Sequence, residues 1–309
     1  MRKILIIAGP TAVGKTEYAI ETAKALNGEI VSADSMQLYK YMDIGSAKPT
    51  AEERREAVHF LVDEIDPRES FSVYEYQKRA KSAIEDIFSR GKVPIISGGT
   101  GLYVNSLIYD MDFSVRPDNN SEFRKKLEAI AETQGNEALH AKLADSDPEA
   151  AGRIHPNNVK KVIRALEMLE GGDSRVRKFS EADTRTGDYE YCLTGLCRER
   201  QELYDRIDMR VDLLMKQGLP DEIKRLEAMG LTESFISMKG IGYKELFGYL
   251  RGKYDLEEAV RLIKRNTRHY AKKQMTWFRR YDDIHWINLS ECASKEEAVE
   301  RIIGYWKDE

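Results

Sequence analysis

Cysteine is nearly absent from this chain: Cys192, Cys197 and Cys292 are the only three in 309 residues. They form no C-x-x-C pair and have no matching histidine pattern. That excludes a disulfide framework or a structural zinc as the organising device, and free thiols are expected. No apolar run approaches the roughly 18 residues that a membrane helix needs, so no membrane association is expected. Met1-Arg2-Lys3 followed by Ile4 to Ala8 has the outline of a signal start, but the apolar run is too short. Together with the few cysteines, this predicts a cytoplasmic protein. Internal repeats and low-complexity tracts are absent. Basic residues are not in excess either: the net charge is −4, which by itself argues against a nucleic-acid binder. What remains, 41% hydrophobic and 33% charged residues, is the composition of a globular protein of one large or two medium domains.

The strongest signal lies at the N-terminus. Gly9-Pro10-Thr11-Ala12-Val13-Gly14-Lys15-Thr16 reads G-x-x-x-x-G-K-T and follows the apolar run Ile4-Leu5-Ile6-Ile7-Ala8. A buried strand, a glycine-rich turn and a helix start are the context a P-loop requires. The amides from Val13 to Thr16 should face an anion at the helix N-terminus, where the helix dipole adds to the attraction. Lys15 supplies a positive charge, and the Thr16 hydroxyl is a candidate ligand for Mg²⁺. The motif specifies phosphate without specifying the molecule that carries it.

Hydrophobic patterning predicts an α/β fold. Strands are expected at Lys3–Ala8, Glu29–Ala33, Lys92–Ser97, Tyr191–Cys197 and Ile284–Leu289. Helices are expected at Thr16–Leu26, Val73–Arg90, Gln201–Met229, Tyr243–Arg251 and Leu256–Tyr281. Alternating strands and helices indicate a doubly wound parallel sheet, with ligands beyond the carboxyl ends of its strands. From Ser121 to Gly171 the pattern is helical and highly charged, punctuated at Gly135 and Asp147-Pro148. Residues 172–188 read as a loop. The expected organisation is a P-loop core of residues 1–112 and 190–309, interrupted by a helical insertion domain of residues 113–189.

Several residues at predicted strand ends carry chemistry. Asp34 follows the second strand, where a carboxylate could bind Mg²⁺, hold a substrate hydroxyl or act as a general base. Ser35, Gln37 and Tyr39 offer hydrogen-bonding and stacking groups for a heterocycle. Gly98-Gly99-Thr100 follows another strand and brings a hydroxyl to the same edge. Arg206 and Arg210 lie four apart on one helix face, and either could neutralise phosphate charge if that helix covers the P-loop. Lys160, Lys161 and Arg164 cluster on an insertion helix, just after His155-Pro156-Asn157. Lys239-Gly240-Ile241-Gly242-Tyr243-Lys244 combines flexible glycines with two cations, which suits a nucleic-acid backbone. Between Val260 and Arg280 there are basic residues but no Asp or Glu. Arg261, Arg265, Arg268 and Lys272 form one helical stripe, flanked by Lys264 and Lys273 and interleaved with Tyr270, Trp277 and Phe278. A phosphate-contacting surface is expected there.

Taken together, these motifs resemble the tRNA dimethylallyltransferase (tRNA isopentenyltransferase) family. The resemblance is carried, in family order, by Gly9–Thr16, Asp34–Lys40, Met42–Pro49, Gly98–Tyr103, Ile154–Asn157, Arg164–Glu167, Gly240–Tyr243 and Ala271–Trp277. It implies transfer of a dimethylallyl group from dimethylallyl diphosphate to the exocyclic N6 amine of an adenosine. That adenosine lies 3′ of the anticodon, at tRNA position 37, in tRNAs that read codons beginning with U. It also implies Mg²⁺ as cofactor. Asp34 would take the proton from the amine and Thr100 would orient it. Lys15 and Arg210 would stabilise the departing diphosphate within the P-loop, and Thr16 would meet the metal. Asp34, Ser35, Met36, Gln37, Leu38, Thr100, Arg124, Lys160, Lys161, Arg164 and Lys239 to Lys244 would contact tRNA, with the insertion gripping the anticodon stem. A monomer is expected. Gly172-Asp173-Ser174 departs from the Gly-Lys found there in many members, and the C-terminal zinc finger of eukaryotic relatives is absent.

Three other readings share parts of this pattern. A P-loop kinase also places an aspartate after its second strand, but would need an arginine-rich lid. A prenyltransferase acting on free adenine nucleotides would not need the basic stripe. A nucleotide-regulated RNA-binding protein would not need Asp34.

Overall fold

A computed structural model describes residues 2–109, 111, 122–171 and 185–308. It divides into two compact units, Met1–Ile108 with Thr186–Glu309, and Tyr109–Arg185.

The first unit is built on a six-stranded sheet. In chain order its elements begin with β1 (Lys3–Ala8), α1 (Lys15–Leu26), β2 (Gly28–Ser32), α2 (Ala51–Glu56) and β3 (His59–Phe60). Next come α3 (Val73–Ser89), β4 (Val93–Gly98) and α4 (Gly101–Ile108). The second unit contributes α5 (Glu122–Gln134), α6 (Asn136–Ser146), α7 (Pro148–Arg153) and α8 (Val159–Glu170). The chain returns through β5 (Glu190–Cys197), α9 (Arg200–Lys216), α10 (Leu219–Ala228), α11 (Tyr243–Leu250), α12 (Leu256–Phe278), β6 (His285–Asn288) and α13 (Lys295–Asp308).

The strand order is β3-β2-β4-β1-β5-β6, and every pairing is parallel. This is the doubly wound sheet that the sequence pattern predicts. Strand side chains alternate between faces, because the side-chain period is two. Leu5, Ile7, Ile30, Ile95, Cys192 and Leu196 join α1 and α13 in one core cluster. Ile4, Ile6, Val31 and Ile96 are equally buried and project from the opposite face, where α3 lies against β2 and β4. Burial on both faces explains why these strands read as continuous apolar runs.

Some elements differ from expectation. The helix expected over Gln201–Met229 is two helices, because Gly218 adopts φ 96° and Pro220 lies in the first turn of α10. Gly218 thus takes a left-handed conformation that ends α9, and proline is tolerated only at a helix start. The edge strand β3 is two residues long, too short to leave a periodic signal. Helices α2, α4 and α13 are also additional to the expected elements. The helical unit is broken at Gly135 and at Asp147-Pro148, where Asp147 caps α7 by accepting from the Ala150 amide. Leu127, Leu139, Leu143, Val162, Ile163 and Leu166 form its own core. Much of the loop expected over 172–188, including Gly172-Asp173-Ser174, lies outside the described residues. Among the described residues no helix is long and apolar enough to cross a membrane.

Candidate active site

The P-loop runs from β1 into α1, and its backbone is held with carbonyls outward. Gly9 adopts φ 154°, and a side chain there would meet the Leu196 carbonyl at 2.6 Å, so only glycine fits. Lys15 Nζ donates to the Pro10 carbonyl at 2.8 Å. Arg206 Nε donates to the Ala12 carbonyl, and Arg198 Nε to the Val13 carbonyl, each at 3.0 Å. Three cations thus satisfy three loop carbonyls. The Thr11 amide is taken by Gln274 and the Val13 amide by the Pro10 carbonyl, so the amides suited to face an anion are those of Gly14, Lys15 and Thr16 at the start of α1, a segment that lines the polar cavity.

Asp34 leaves β2 in a short turn in which its Oδ1 accepts from the Met36 amide at 2.8 Å and the Gln37 amide at 3.4 Å. Thr100 follows β4. Its amide donates to the Ala33 carbonyl at 3.0 Å, and its Oγ1 accepts from the Ser35 amide at 3.1 Å. These bonds lock the Asp34 and Thr100 loops together. The close approach needs Gly98, where an added Cβ would lie 2.2 Å from the Ala33 carbonyl oxygen.

Two cavities open at this edge. One, of about 270 Å³, is lined by Gly14, Lys15, Thr16, Ser32, Asp34, Gln37, Ser97 and Arg210, among others. Its wall combines the start of α1 with hydroxyls and two cations, a lining suited to phosphate. The second, of about 340 Å³, has walls of Ile207, Val211, Leu214, Leu219, Ile236, Ile241 and Ile263, with Ser35, Met36, Lys239, Gly240, Gly242, Tyr270 and Gln274. Thr11, Lys15, Asp34, Ser46, Ala47 and Arg210 line both.

Burial, with a contribution from Arg210, pulls the Lys15 ammonium down to about 8, against the attraction of Asp34. Burial also lowers the pKa of Arg210, opposed by Asp34. Neither cation has a carboxylate within ion-pair distance among the described residues. Asp34 offsets the charge of both and Glu53 that of Arg210 at longer range, but neither carboxylate pairs with them directly, an arrangement that favours an incoming polyanion.

The polar wall offers oxygen donors at Thr16, Ser32, Ser97 and Asp34. Among the described residues there is no cluster of three or more His, Cys, Asp or Glu able to hold a metal. A hard cation that keeps its waters and takes phosphate oxygens fits such a wall in company with a phosphate ligand.

The loop lining both cavities is fixed by a residue that lacks an obvious motif. Glu222 on α10 is 1% exposed. Its carboxylate accepts from the amides of Asp43 (2.8 Å), Ile44 (2.7 Å) and Gly45 (3.0 Å) and from the Tyr243 hydroxyl (2.9 Å). A sequence signal did exist: Glu222 falls on the apolar stripe of Leu219, Ile223 and Leu226. Gln274 is similarly placed, between Ala271 and Phe278 on the buried face of α12.

The expected site residues divide into groups. The P-loop, Asp34, Thr100 and Arg210 come together. Of the helical arginine pair, Arg206 is committed to the Ala12 carbonyl and Arg210 lines the cavities. Ser35, Met36, Lys239, Gly240, Ile241 and Gly242 line the apolar cavity, and Gln37 the polar one. Two expectations need correction. The Leu38 and Tyr243 side chains are fully buried; Leu38 is core, and Tyr243 bonds Glu222, so neither side chain offers a surface to RNA. Lys244 is exposed, close to Glu245. In the helical unit Lys160 and Lys161 are exposed on α8. Arg124 donates to Glu167 at 2.9 Å, and Arg164 approaches the same carboxylate at 3.7 Å.

The basic stripe of α12 is less uniform in space than in sequence. Arg261 pairs with Glu258 of its own first turn, Lys264 with Asp212 and Arg268 with Asp208, both on α9. Lys272 and Lys273 remain exposed and flank a shallow groove with His269, Thr276, Trp277 and Arg280.

Comparison with known proteins agrees with this architecture. The family model described as IPP transferase matches residues 37–281. A tRNA dimethylallyltransferase of Alkaliphilus oremlandii is 53% identical over 99% of this chain and 97% of its own length. One from Clostridioides difficile is 48% identical over 100% and 99%. The crystal structure of the tRNA isopentenylpyrophosphate transferase of Bacillus halodurans aligns with TM-score 0.74 at 43% identity, covering 100% of this chain and 98% of that one. A eukaryotic dimethylallyltransferase acting on tRNA aligns with TM-score 0.85 at 29% identity, covering 100% of this chain and 79% of that one. A family match across most of the sequence, and relatives near one-half identity over their full length, make this chain a member of the IPP transferase family.

Proposed function

We propose that this protein transfers the dimethylallyl group of dimethylallyl diphosphate to the N6 amine of the adenosine at tRNA position 37, 3′ of the anticodon, in tRNAs reading codons that begin with U. The products are N6-(dimethylallyl)adenosine and diphosphate. The observation that carries this reading is the pair of cavities, one phosphate-binding and one apolar, that share Asp34, Lys15 and Arg210. A donor diphosphate in the first and a base in the second would meet at those residues.

In the reaction the N6 lone pair forms a bond to the allylic carbon C1 while the C1–oxygen bond breaks. The electron pair leaves with the diphosphate. Positive charge develops on the allyl group and negative charge on the leaving oxygen. Lys15, Arg210 and the P-loop amides stabilise that oxygen in a site where desolvation strengthens each contact. Asp34 accepts the proton lost from N6. Thr100, tied to the Asp34 turn through Ser35, orients the amine. Mg²⁺ would be held by Thr16 and the diphosphate, and supplies further neutralisation of leaving-group charge.

Position 37 lies in a stacked anticodon loop, so the base must be extruded to enter the cavity. Ser35, Met36 and the Lys239–Gly242 segment then contact the loop at the cavity rim. Lys160, Lys161 and the Arg124–Arg164 group of the helical unit contact the anticodon stem. The protein acts as a cytoplasmic monomer.

The test is incubation of pure protein with Mg²⁺, dimethylallyl diphosphate and unmodified tRNA, with AMP as a parallel acceptor and nucleoside analysis of the products. Prenylated adenosine in tRNA and none on AMP is expected. Phosphate transfer from ATP to a small acceptor, with unmodified tRNA, would replace this reading with a kinase. Asp34→Ala should lower turnover by about 10²–10⁴-fold while tRNA binding persists.

A further inference from the structure

Ala12 holds a backbone conformation that its side chain does nothing to favour. Within the P-loop, Gly9, Ala12 and Gly14 have positive φ, and Ala12, at 64°, is the one that carries a Cβ. The Val13 amide donates to the Pro10 carbonyl at 3.4 Å, closing a turn over Thr11 and Ala12. A positive φ at the third position of such a turn favours glycine. For alanine the left-handed region is unfavourable, because Cβ crowds the following carbonyl oxygen. The Ala12 methyl group is nonetheless 7% exposed and belongs to the core cluster that holds Val13 and Tyr18. Burial thus favours a side chain at a position where the backbone disfavours one.

A contact from outside the loop offsets that strain. Arg206 on α9 donates its Nε hydrogen to the Ala12 carbonyl at 3.0 Å, a charge-assisted bond to the peptide that leaves the strained residue. Arg206 and Arg210 lie one turn apart on α9, yet Arg210 lines both cavities and Arg206 lines neither. Any influence of Arg206 on a bound anion therefore runs through the loop. Relaxation of Ala12 to the right-handed region would swing the peptide after it and re-aim the amides of Gly14, Lys15 and Thr16, which suit an anion. Resting on the diphosphate-donor reading above, we propose that Arg206 is a positioning residue. It holds Ala12 in the left-handed turn that sets the P-loop for diphosphate, and it acts through that turn instead of as a counter-charge to the ligand.

The experiment is a double-mutant cycle in affinity for inorganic diphosphate with Mg²⁺, read by calorimetry on the full chain. Its members are wild type, Arg206→Met, Ala12→Gly and the double variant. Methionine matches the arginine stem out to Nε and removes the donor and the charge. Glycine takes a positive φ without the Cβ clash, so the turn no longer needs to be held. The lost methyl group is common to both glycine-bearing proteins and cancels in the cycle. With alanine at position 12, Arg206→Met should weaken diphosphate binding by about 5- to 30-fold, the factor by which alanine disfavours this region. In the Ala12→Gly background the same change should weaken it by about threefold or less. An equal or larger penalty with glycine would make Arg206 a counter-charge to the ligand and overturn the assignment. So would the absence of any penalty with alanine. Melts check that each protein is folded at the assay temperature, and Arg206→Gln replaces the methionine variant if that one does not fold. Failure of wild type to bind diphosphate would instead overturn the donor reading on which the inference rests.

Discussion

Gln274 reaches from α12 to donate its Nε2 hydrogen to the Gly99 carbonyl at 2.9 Å. Its Oε1 accepts from the Thr11 amide, also at 2.9 Å. One buried amide side chain thus fastens the P-loop to the loop that carries Thr100. The P-loop and the turn after β4 are thereby held in register by a side chain that also lines the apolar cavity.

Removing this clamp should affect both stability and rate. In Gln274→Ala the Gly99 carbonyl and the Thr11 amide lose their partners, at about 1–3 kcal/mol each. In Gln274→Glu the bond from Thr11 survives, but a carboxylate oxygen faces the Gly99 carbonyl. Thermal melts should rank wild type above both variants, and single-turnover rates should fall at least tenfold in each. An alanine variant with wild-type melting and turnover would show that the clamp is dispensable.

Lys15 should trade stability for binding. Its folded pKa, about 8, lies below the ordinary lysine value of 10.5. The unfolded chain therefore binds more protons between those values, and stability rises with pH across that window. Below it, the folded state carries the full cost of a desolvated charge. Lys15→Met should accordingly be more stable than wild type at pH 7, by about 1–3 kcal/mol, with the difference fading as pH approaches 10.5. Donor binding should be lost in the same variant. Denaturant melts at pH 7 and pH 10, beside a diphosphate-binding measurement, check this; a methionine variant less stable at pH 7 would contradict it.

The stripe on α12 should act through its second half. Exposed, already paired charges contribute little net attraction for a new partner, since each pair must first be broken and its carboxylates repel phosphate. Lys272→Ala with Lys273→Ala should reduce the slope of log tRNA affinity against log salt by about 1–2. Arg261→Ala, which removes only the partner of Glu258, should leave that slope within about 0.3. Equal effects from the two changes would mean that Arg261 leaves Glu258 to contact RNA.

The sequence by itself determined what depends on neighbours along the chain. The P-loop was legible because strand, glycine turn and helix start are adjacent in sequence and obey local backbone chemistry. Asp34 and Thr100 were legible as strand-end residues, because parallel strands gather their carboxyl ends at one edge of the sheet. The family resemblance followed from the order and spacing of such motifs. Tertiary structure alone decided what each helix face meets. Periodicity puts Arg206 and Arg210 on one face of α9, yet packing gives one to the Ala12 carbonyl and the other to the cavities. Periodicity likewise gathers a run of cations on α12, while Asp208 and Asp212 of α9 cancel part of it. Gln274 and Thr11 are 263 residues apart, and Glu222 and Gly45 are 177 apart. Helical spacing shows which side chains share a face; the groups that oppose that face come from distant segments, and only folding brings them there.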